Sequence, residues 1–415
     1  MKVLVLNAGS SSKKSALFEL GHDIGSYPAE PRWEGKLQWN GRAEVLTIRN
    51  LEGKKIQEQR GEPGDRNASV EVMLRNVWDG PSAVIGDPQA IDIIGHRIVH
   101  GGPKLADPVL IDERVKRTIT DVAEIAPLHN QAGLRGIEIA QKLFPGKPQV
   151  AVFDTGFHRT LPAHAAVYPG PYEWFESGIR RYGFHGINHQ YCAQRAAQVL
   201  GRDPSTLRIV SCHLGNGCSL AAIKGGESVE TTMGFTPLEG LMMGTRAGSV
   251  DPGILIRLLR TSHMDAEALD DVLNRRSGLL GISGVSSDMR EVLQAANQGN
   301  SRAKLAFDIF VHRLRQGIAA MAGSLGGIDA IVFTAGIGEN SAEVRQAACA
   351  KLRFLGVQLD QAANSSPKPD VDVAAPNSAV RVLVIRAQED WAIAKECVRL
   401  AVSTPDNAVR TRKKH

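Results

Sequence analysis

One plan of strands and turns occurs twice along the chain, and this repetition restricts the fold more than any single motif. At 2–20 and again at 208–226, an apolar segment runs into a turn of Gly, Ser or Asn and then into a second apolar segment. Each copy predicts a β-hairpin whose tip exposes backbone N–H groups. In each half a further apolar strand then runs into glycines, at 90–102 and at 327–340. The repeated order predicts a duplicated α/β domain.

Helical patterns lie between these strands, so the sheets are expected to be covered by helices. One pattern begins at Asn188, which is interpreted as its N-cap, and a longer one runs from Asn300 to about Leu325. A final helix at about 390–402 is expected to pack back on the first half. Short alternating runs within 22–64 predict antiparallel strands at one edge of a sheet.

The length of 415 residues favours two or three domains. The predicted N-terminal domain comprises 1–154 plus about 390–402, and the predicted C-terminal, nucleotide-binding domain comprises 155–389. The remaining residues, 403–415, lack apolar periodicity and are expected to form a flexible basic tail.

Charge and cysteine content exclude several classes of partner. The net charge is +5, and four basic residues of the tail supply most of it: Arg410, Arg412, Lys413 and Lys414. Because the rest of the chain is nearly neutral, no nucleic-acid partner is expected.

Five cysteines without a CxxC pair predict reduced thiols. Only four apolar residues follow the first two positions, so neither a signal peptide nor a membrane segment is expected, and the predicted location is the cytoplasm.

Four glycine-rich turns are candidate phosphate sites, because such turns and helix N-termini offer backbone N–H groups without internal partners. They occupy 7–12, 213–217, 244–248 and 336–340. In the last of them, Asn340 followed by Glu343 resembles a capping box at the start of a helix. The chain contains neither a Walker A pattern nor the protein-kinase HRD and DFG motifs. One such turn is usually only a hairpin, but four in a duplicated fold indicate phosphate binding.

Two arginines stand where a structural role is not obvious. Arg97 interrupts an apolar strand, and Arg246 lies in a glycine-flanked turn just before Asp251. A guanidinium is permanently charged and binds a carboxylate or a phosphoryl group with two parallel hydrogen bonds. The alternatives, a buried ion pair for Arg97 and a surface charge beside a helix for Arg246, remain open at this point.

Candidate carboxylates and a candidate histidine complete the set. Asp154 and Glu389 each follow an apolar strand, where side chains face the cleft of an α/β sheet. Carboxylates there suit Mg²⁺, which takes one or two of them and keeps several waters. Either could instead be a helix cap. His185, in RRYGFHG, is the best candidate for a donor that stabilises charge, with a hydrogen-bonded core histidine as the alternative.

These motifs, in this order, resemble the acetate kinase family of the acetate and sugar kinase, Hsp70 and actin superfamily, from Met1 to about Val402. The motifs are NAGSSS, HRIVHGG, APLHN, FDTGFH, RRYGFHG, HLGNG, MGTRAGSVDPG, GISGVSSDMR and AGIGEN. The resemblance implies duplicated actin-like (ribonuclease H-like) domains, mixed sheets covered by helices, and an active-site cleft between the domains. It also implies direct, in-line and reversible phosphoryl transfer between ATP and acetate, dependent on Mg²⁺ or possible with Mn²⁺, in a homodimer.

The resemblance also implies a role for each matching residue. The catalytic residues are Arg97, Asp154, His185, Asn216 and Arg246. Asn7 and Glu389 arrange the metal ion and its waters. The acid contacts Arg97, Val99, Leu128, His129, Phe184 and Pro237. The nucleotide contacts Lys14, His213, Leu214, Gly215, Asn216, Gly217, Asp288, Met289, Arg290, Gly336, Ile337, Gly338, Glu339 and Asn340.

Val99 is the residue expected of an acetate enzyme rather than a propionate enzyme, so propionate is expected to be a poorer substrate. Three places depart from the family pattern: Lys13 and Ser15, the segment GINH at 186–189, and the residues just before Glu389. Two alternatives to acetate kinase remain. One is a kinase for propionate or another short-chain carboxylate, and the other is a non-catalytic, nucleotide-gated binding module.

Overall fold

The chain divides into two compact units. This computed structural model describes residues 1–8, 12–21, 24–25, 27–39, 43–62, 64–124, 127–262 and 264–403, and leaves out the side chains of residues 8, 124 and 127–129. The first unit is Met1–Gly156 together with the described residues from Gln388 onward, and the second is Phe157–Ala387. None of the helices in the described ranges is long and apolar enough to span a bilayer.

The first unit is built on one mixed sheet with helices against it. Its elements, in chain order, are β1 (Lys2–Ala8), β2 (Ser12–Glu19), β3 (Trp33–Trp39), β4 (Glu44–Asn50), β5 (Lys55–Gly61), α1 (Arg66–Arg75), β6 (Ile93–Ile98), β7 (Val109–Leu110), α2 (Glu113–Asp121), α3 (Pro127–Leu143) and β8 (Gln149–Phe153). Among the described residues the strand order is β5-β4-β3-β2-β1-β6-β8-β7. The antiparallel strands β3, β4 and β5 form one edge, which confirms the prediction for this segment.

The second unit has its own mixed sheet. Its elements are α4 (Ala163–Ala166), α5 (Tyr172–Glu176), α6 (Gly186–Leu200), β9 (Arg208–Leu214), β10 (Cys218–Lys224), β11 (Glu227–Thr231), α7 (Pro252–Thr261), α8 (Ala266–Arg275), α9 (Gly278–Ser283), α10 (Met289–Asn297), α11 (Ser301–Leu325), β12 (Ala330–Thr334), α12 (Ala335–Asn340), α13 (Ala342–Cys349), α14 (Gln361–Ser365), β13 (Val371–Asp372) and β14 (Arg381–Val384). In the described part of this unit the strand order is β11-β10-β9-β12-β14-β13.

The last helix, α15 (Glu389–Ser403), returns to the first unit and packs on β6. A Cβ atom added to Gly95 of β6 would lie 2.6 Å from Cys397 Sγ and 2.6 Å from Ile393 Cγ2, so only glycine allows this close approach. Trp391, at the start of the same helix, packs against Phe18 with ring centroids 6.1 Å apart. The predicted return of the final helix is confirmed.

The opposite side of the first sheet packs against α1 and α3. Its core is a cluster of aliphatic and aromatic side chains that includes Leu4, Leu17, Trp33, Leu37, Ile48, Met73, Leu74, Ala140 and Phe144. Because β6 and β8 are covered on both faces, they read as continuous apolar runs rather than alternating ones. In the second unit, Gly317 of α11 lets that helix approach Leu220 of β10 in a comparable way.

The predicted repeat is present in both sheets. In the first, β1 pairs antiparallel with β2 and parallel with β6. In the second, β9 pairs antiparallel with β10 and parallel with β12. The fold is therefore a duplicated α/β arrangement, as the sequence predicts.

Two predicted helix caps are wrong. Asn300, where the longer helical pattern begins, caps α11 by accepting from the amide of Ala303. Asn188 is not a cap, because α6 begins earlier and its N-cap position is His185, in the left-handed region at φ 56°. Asn340 is the last residue of α12, and the cap of the next helix is Ser341, whose hydroxyl accepts from the amide of Val344. Asn188 instead places its amide nitrogen 2.9 Å from His213 Nδ1, and Asn340 donates to Gly336 O at 2.8 Å within its own helix.

Candidate active site

The first unit gathers five polar side chains at one edge of its sheet. Asn7 lies near the end of β1, Arg97 in β6 and Asp154 just after β8, and these strands are parallel neighbours. Their carboxyl ends therefore meet at the same edge. Glu389 and Asp390 open α15 at this edge. These five residues are called the Arg97 cluster below.

Arg97 and Asp154 form the centre of this cluster. The guanidinium Nε lies 3.0 Å from each carboxylate oxygen of Asp154, and Nη2 donates to Oδ2. The side chain of Asp154 is 1% exposed and that of Arg97 is 11% exposed. Burial lowers the pKa of Arg97, but the carboxylates of Asp154 and Glu389 outweigh it and hold this pKa above its ordinary value. The buried-ion-pair interpretation of Arg97 is thus correct for one edge of its guanidinium.

The other edge of Arg97 faces the remaining members of the cluster. Nη1 lies 3.2 Å from Asn7 Oδ1 and 3.9 Å from Glu389 Oε2. The amide of Asn7 in turn donates to Glu389 Oε2 at 3.0 Å and to Asp390 Oδ1 at 2.8 Å. The cluster is therefore a hydrogen-bonded unit in which one guanidinium orients three neighbours.

Asp390 is a member that the sequence analysis missed. Burial raises the pKa of its carboxyl group, and the neighbouring Glu389 adds to this, whereas Lys14 and the Asn7 hydrogen bond act in the opposite direction. Lys14 stands directly opposite Asn7 in the β1–β2 ladder. A signal for Asp390 was available in the sequence, because two acids are adjacent at a strand-to-helix junction. The sequence analysis selects only the first of them, Glu389.

The Arg97 cluster suits a hard cation that brings ligands of its own. The oxygens of Asn7, Asp154 and Glu389 are the donors that Mg²⁺ prefers. Within the described residues, no three or more His, Cys, Asp or Glu side chains converge as a preformed metal site. The amide and carboxylate oxygens of the cluster fit an ion that keeps several waters.

The second unit gathers histidines beside a glycine turn. His185 and His213 stack face to face, with ring centroids 3.9 Å apart and planes 9° apart. The tip of the β9–β10 hairpin closes through a hydrogen bond from Gly215 N to Gly217 O at 3.0 Å. These residues, with Asn216 and Arg246, are called the histidine–glycine cluster below.

Arg246 packs over this turn and is not a surface charge, so that interpretation is wrong. It is 8% exposed, and its Nη1 donates to Pro237 O at 2.6 Å. A Cβ atom added to Gly217 would lie 2.5 Å from Arg246 Nη2. Glycine is therefore required for the guanidinium to cover the hairpin tip.

Two of the predicted phosphate turns touch each other. Gly244 N donates to Asn216 O at 3.0 Å, and a Cβ atom on Gly244 would lie 2.3 Å from Asn216 Oδ1. The 213–217 and 244–248 segments are thus brought together, as a shared phosphate site requires. In the 7–12 segment, residues 9–11 lie outside the described ranges.

The candidate nucleotide residues differ in what their side chains do. Asp288 caps α10, and a hydrogen bond from Arg290 lowers the pKa of its carboxyl group. Leu214 and Met289 are 0% and 3% exposed, so their side chains belong to the core. Glu339 turns inward, with Oε1 accepting from the amides of Ala335 at 2.8 Å and Ala387 at 2.9 Å.

A second residue missed by the sequence analysis, Arg345, supports α12. Its side chain is buried, and Nη1 donates to Gly338 O and Glu339 O, each at 2.8 Å. Nε donates to Asn364 Oδ1 at 2.7 Å. An arginine so placed holds the last carbonyls of the AGIGEN helix; within a short alternating helical pattern, nothing in the sequence distinguishes it from a surface arginine.

The predicted acid-binding residues are divided between the units. Val99 of the first unit and Phe184 of the second are 6% and 1% exposed. Pro237 is half-buried and holds Arg246 through its carbonyl. The side chains of Leu128 and His129 lie outside the described residues.

Two of the three departures from the family pattern lie among described contacts. Ser15 donates to Val5 O at 2.8 Å, which satisfies its buried hydroxyl. Burial lowers the pKa of Lys13 to about 8, and Arg135 and Arg66 contribute to the shift. Asn188, in GINH, places its amide nitrogen 2.9 Å from His213 Nδ1.

Comparison with known proteins gives one consistent result. The Acetokinase family matches residues 2–395. The acetate kinase of Nostoc punctiforme is 58% identical over 401 residues, covering 96% of this chain and 98% of the relative, and that of Gloeobacter violaceus is 56% identical with the same coverage. Among solved structures, the acetate kinase of Porphyromonas gingivalis has a TM-score of 0.86 at 38% identity, covering 96% of this chain and 99% of that one. A propionate kinase from Francisella tularensis has a TM-score of 0.85 at 38% identity, covering 95% and 98%.

Proposed function

The chain belongs to the acetokinase family, and from that membership we propose that it transfers a phosphoryl group reversibly between ATP and acetate, giving acetyl phosphate and ADP. The observation that carries the proposal is the set of contacts made by Arg97. Its Nε donates to Asp154, and its Nη1 lies near the oxygens of Asn7 and Glu389. A purely structural ion pair would not need the further oxygen ligands that surround it.

The proposed reaction needs no strong general base. An acetate oxygen is already an anion at neutral pH, so it attacks the terminal phosphorus directly and the bond to the leaving ADP oxygen breaks in line. Arg97 binds the carboxylate and Asp154 fixes the plane of the guanidinium. Arg246, His185 and Asn216 stabilise charge on the equatorial oxygens of the phosphoryl group.

We further propose that Asn7, Asp154 and Glu389 hold a Mg²⁺ ion through its waters, with Mn²⁺ as a substitute. A bound divalent ion would neutralise charge on the β- and γ-phosphates. The proposed nucleotide contacts are Lys14, the 213–217 turn, Asp288–Arg290 and the backbone of α12. Glu339 supports that backbone from within, because its carboxylate accepts two amide hydrogen bonds.

Acetate is expected to be preferred to propionate by about tenfold to two-hundredfold in kcat/KM, because one extra methylene in an apolar pocket changes binding by about 1–3 kcal/mol. Val99 and Phe184, each buried within its own unit, are the proposed apolar contacts of the acid. The measurement is acyl hydroxamate formation with ATP, Mg²⁺, hydroxylamine and acetate, propionate or butyrate in turn.

The same assay separates the two alternatives. Equal or faster reaction with propionate would favour a propionate kinase, the activity named for the structural relative from Francisella tularensis. ATP hydrolysis without hydroxamate from any of the three acids would instead favour a nucleotide-gated binding module.

We also propose a cytoplasmic homodimer. All five cysteines are buried and none is in a disulfide, as suits a reducing compartment. Helix α7 buries no residue in the single chain. Its apolar side chains Ile254, Ile256 and Leu259 are 44–50% exposed, and Val250, just before the helix, is 40% exposed. These four residues are called the α7 surface below. A second copy of the chain is the proposed occupant.

Ile254→Asp is expected to shift the protein from dimer to monomer in light scattering, because a carboxylate would be buried without a partner in the interface. Leu305→Asp on α11 is the control, since Leu305 is similarly exposed, at 52%, and is not part of the α7 surface. A dimer that survives Ile254→Asp, or dissociates equally in both variants, would contradict the assignment of α7 to the interface.

A further inference from the structure

The two stacked imidazoles of the histidine–glycine cluster present the same edge to the hairpin tip. His185 Cε1 lies 3.4 Å from the position of a Cβ atom on Gly217, and His213 Nε2 lies 3.8 Å from that on Gly215. The Nδ1 atoms of both rings make hydrogen bonds within the core. A proton on Nε2 of either ring would therefore be carried by the edge that faces the turn.

A buried chain of hydrogen bonds leads away from His185. Its Nδ1 lies 2.8 Å from Ser219 Oγ, and the same oxygen lies 2.8 Å from His189 Nε2. His189 Nδ1 then lies 2.9 Å from Ser211 Oγ. Ser211, His189 and Ser219 are all fully buried. The protons along this chain must therefore be ordered by the side chains themselves.

Counting donors and acceptors leaves two possible directions of donation along this chain, called the first and second order below. Burial lowers the pKa of His189 well below its ordinary value, so one of its nitrogens donates and the other accepts. In the first order, Ser211 donates to His189, His189 donates to Ser219, and Ser219 donates to His185 Nδ1. In the second, every donation is reversed and His185 must carry a proton on Nδ1.

Only the first order gives a neutral His185 that can donate from Nε2. A phosphoryl oxygen accepts hydrogen bonds and donates none at neutral pH, so the ring must offer it N–H. The second order would need an imidazolium to do so, and this cation would face the π surface of His213 and the nearby Arg246. The neutral donor avoids repulsion between like charges in the stack.

The tautomer of His213 is fixed by a different residue, Asn188. Asn188 places its amide nitrogen, which only donates, 2.9 Å from His213 Nδ1, while its amide oxygen accepts from Cys192 Sγ at 3.8 Å. The Nδ1 of His213 must then accept, and the proton of the neutral ring resides on Nε2.

We propose that Ser219 and Asn188 are positioning residues that hold His185 and His213 in the Nε2–H tautomer, so that two parallel N–H donors face the transferring phosphoryl group. The assignment of a phosphoryl group to this turn rests on the proposed function. The tautomer of His213 follows from the amide of Asn188, whereas the hydrogen-bond chain leaves two arrangements for His185, of which the proposed function selects the first.

The first experiment is nitrogen NMR of the full chain labelled with ¹⁵N-histidine, without substrates, with signals assigned from His185→Gln and His213→Gln. Both rings are expected to show a protonated Nε2 and an unprotonated Nδ1. A neutral ring protonated on Nδ1 at either position would overturn the proposal. Because this readout needs no activity, it decides the tautomers even if no acid is phosphorylated.

The second experiment compares matched serine variants. Ser219→Ala is expected to give His185 mixed tautomers and to lower kcat about tenfold or more, while KM for acid and ATP stays within about twofold. Ser219→Thr keeps the hydroxyl and is expected to restore both. The control is Ser228→Ala, because Ser228 Oγ makes an equivalent buried contact of 2.7 Å with His158 Nδ1.

An unchanged kcat in folded Ser219→Ala, or an equal loss in Ser228→Ala, would overturn the role of Ser219. Asn188→Asp tests the other half, since a carboxylate offers only acceptors and should move the His213 proton to Nδ1. Retention of Nε2–H in that variant would overturn the role of Asn188.

Discussion

Arg97→Ala is expected to lower kcat for acyl phosphate formation by about 10³-fold or more, because it removes the charge that holds the attacking carboxylate in line and a positive charge beside the transferring phosphoryl group. The physical reason is the loss of the only guanidinium in the Arg97 cluster, which binds the carboxylate and orients Asn7 and Glu389. Arg97→Lys keeps the charge but not the two-edged fork, so it should recover only part of the rate. The measurement is steady-state kinetics with the hydroxamate assay.

This substitution also leaves Asp154 buried without its partner, at a cost of about 3–5 kcal/mol in the free energy of unfolding. A matched control is Arg195→Ala, because Arg195 and Asp370 form a comparably buried ion pair, 15% and 12% exposed, with Nε to Oδ2 at 2.6 Å. The control should lower the melting temperature without a large change in kcat. Near-parental kcat in a folded Arg97→Ala protein would contradict the proposed function.

Arg246→Ala is expected to have the second largest effect, a loss of about 10²–10³-fold in kcat, because it removes a preorganised donor beside the hairpin tip. The side chain is held by Pro237 O at 2.6 Å, so it pays little entropy to meet a phosphoryl group. Thermal melting of the variant, measured in parallel, separates a loss of kcat from a loss of folded protein.

Gly217→Ala provides a geometric test of the same residue. The added methyl group would lie 2.5 Å from Arg246 Nη2 and should displace it, reproducing much of the loss in kcat without removing the charge. Gly323→Ala is the control, because an added Cβ atom there has no neighbour within 4 Å. If Gly217→Ala keeps full activity, the covering position of Arg246 is not needed for transfer.

Much of the site could be predicted because its residues break local rules. Arg97 interrupts an apolar strand, and a charge there needs partners that the fold must supply. Asp154 follows the apolar strand β8, where the carboxyl ends of β1, β6 and β8 share one edge. The repeated hairpins could also be predicted, because turn residues and apolar strand segments are local features of the sequence.

The rest depended on partners far away in sequence. Asp390 is fixed by Asn7 across 383 positions, and no local pattern announces such a contact. Ser219 looks like an ordinary small residue of a buried strand until His185 and His189 are placed on either side of it. The interpretation of Asn188 as a cap is wrong for a related reason. Its side chain contacts His213, 25 positions away in sequence, and this contact outweighs the local preference for capping.

The return of α15 to the first sheet has a consequence for how the protein is made. Trp391, Ile393 and Cys397 cover β1 and β6, yet they leave the ribosome only after the whole second unit has been translated. Until then one apolar face of the first sheet stays uncovered, which is the condition that recruits chaperones to nascent chains. Arg97 and Asp154 can pair early in translation, but Glu389 and Asp390 join them only after the whole second unit has been translated. A chain that terminates before α15 therefore lacks both acids of the Arg97 cluster that this helix supplies.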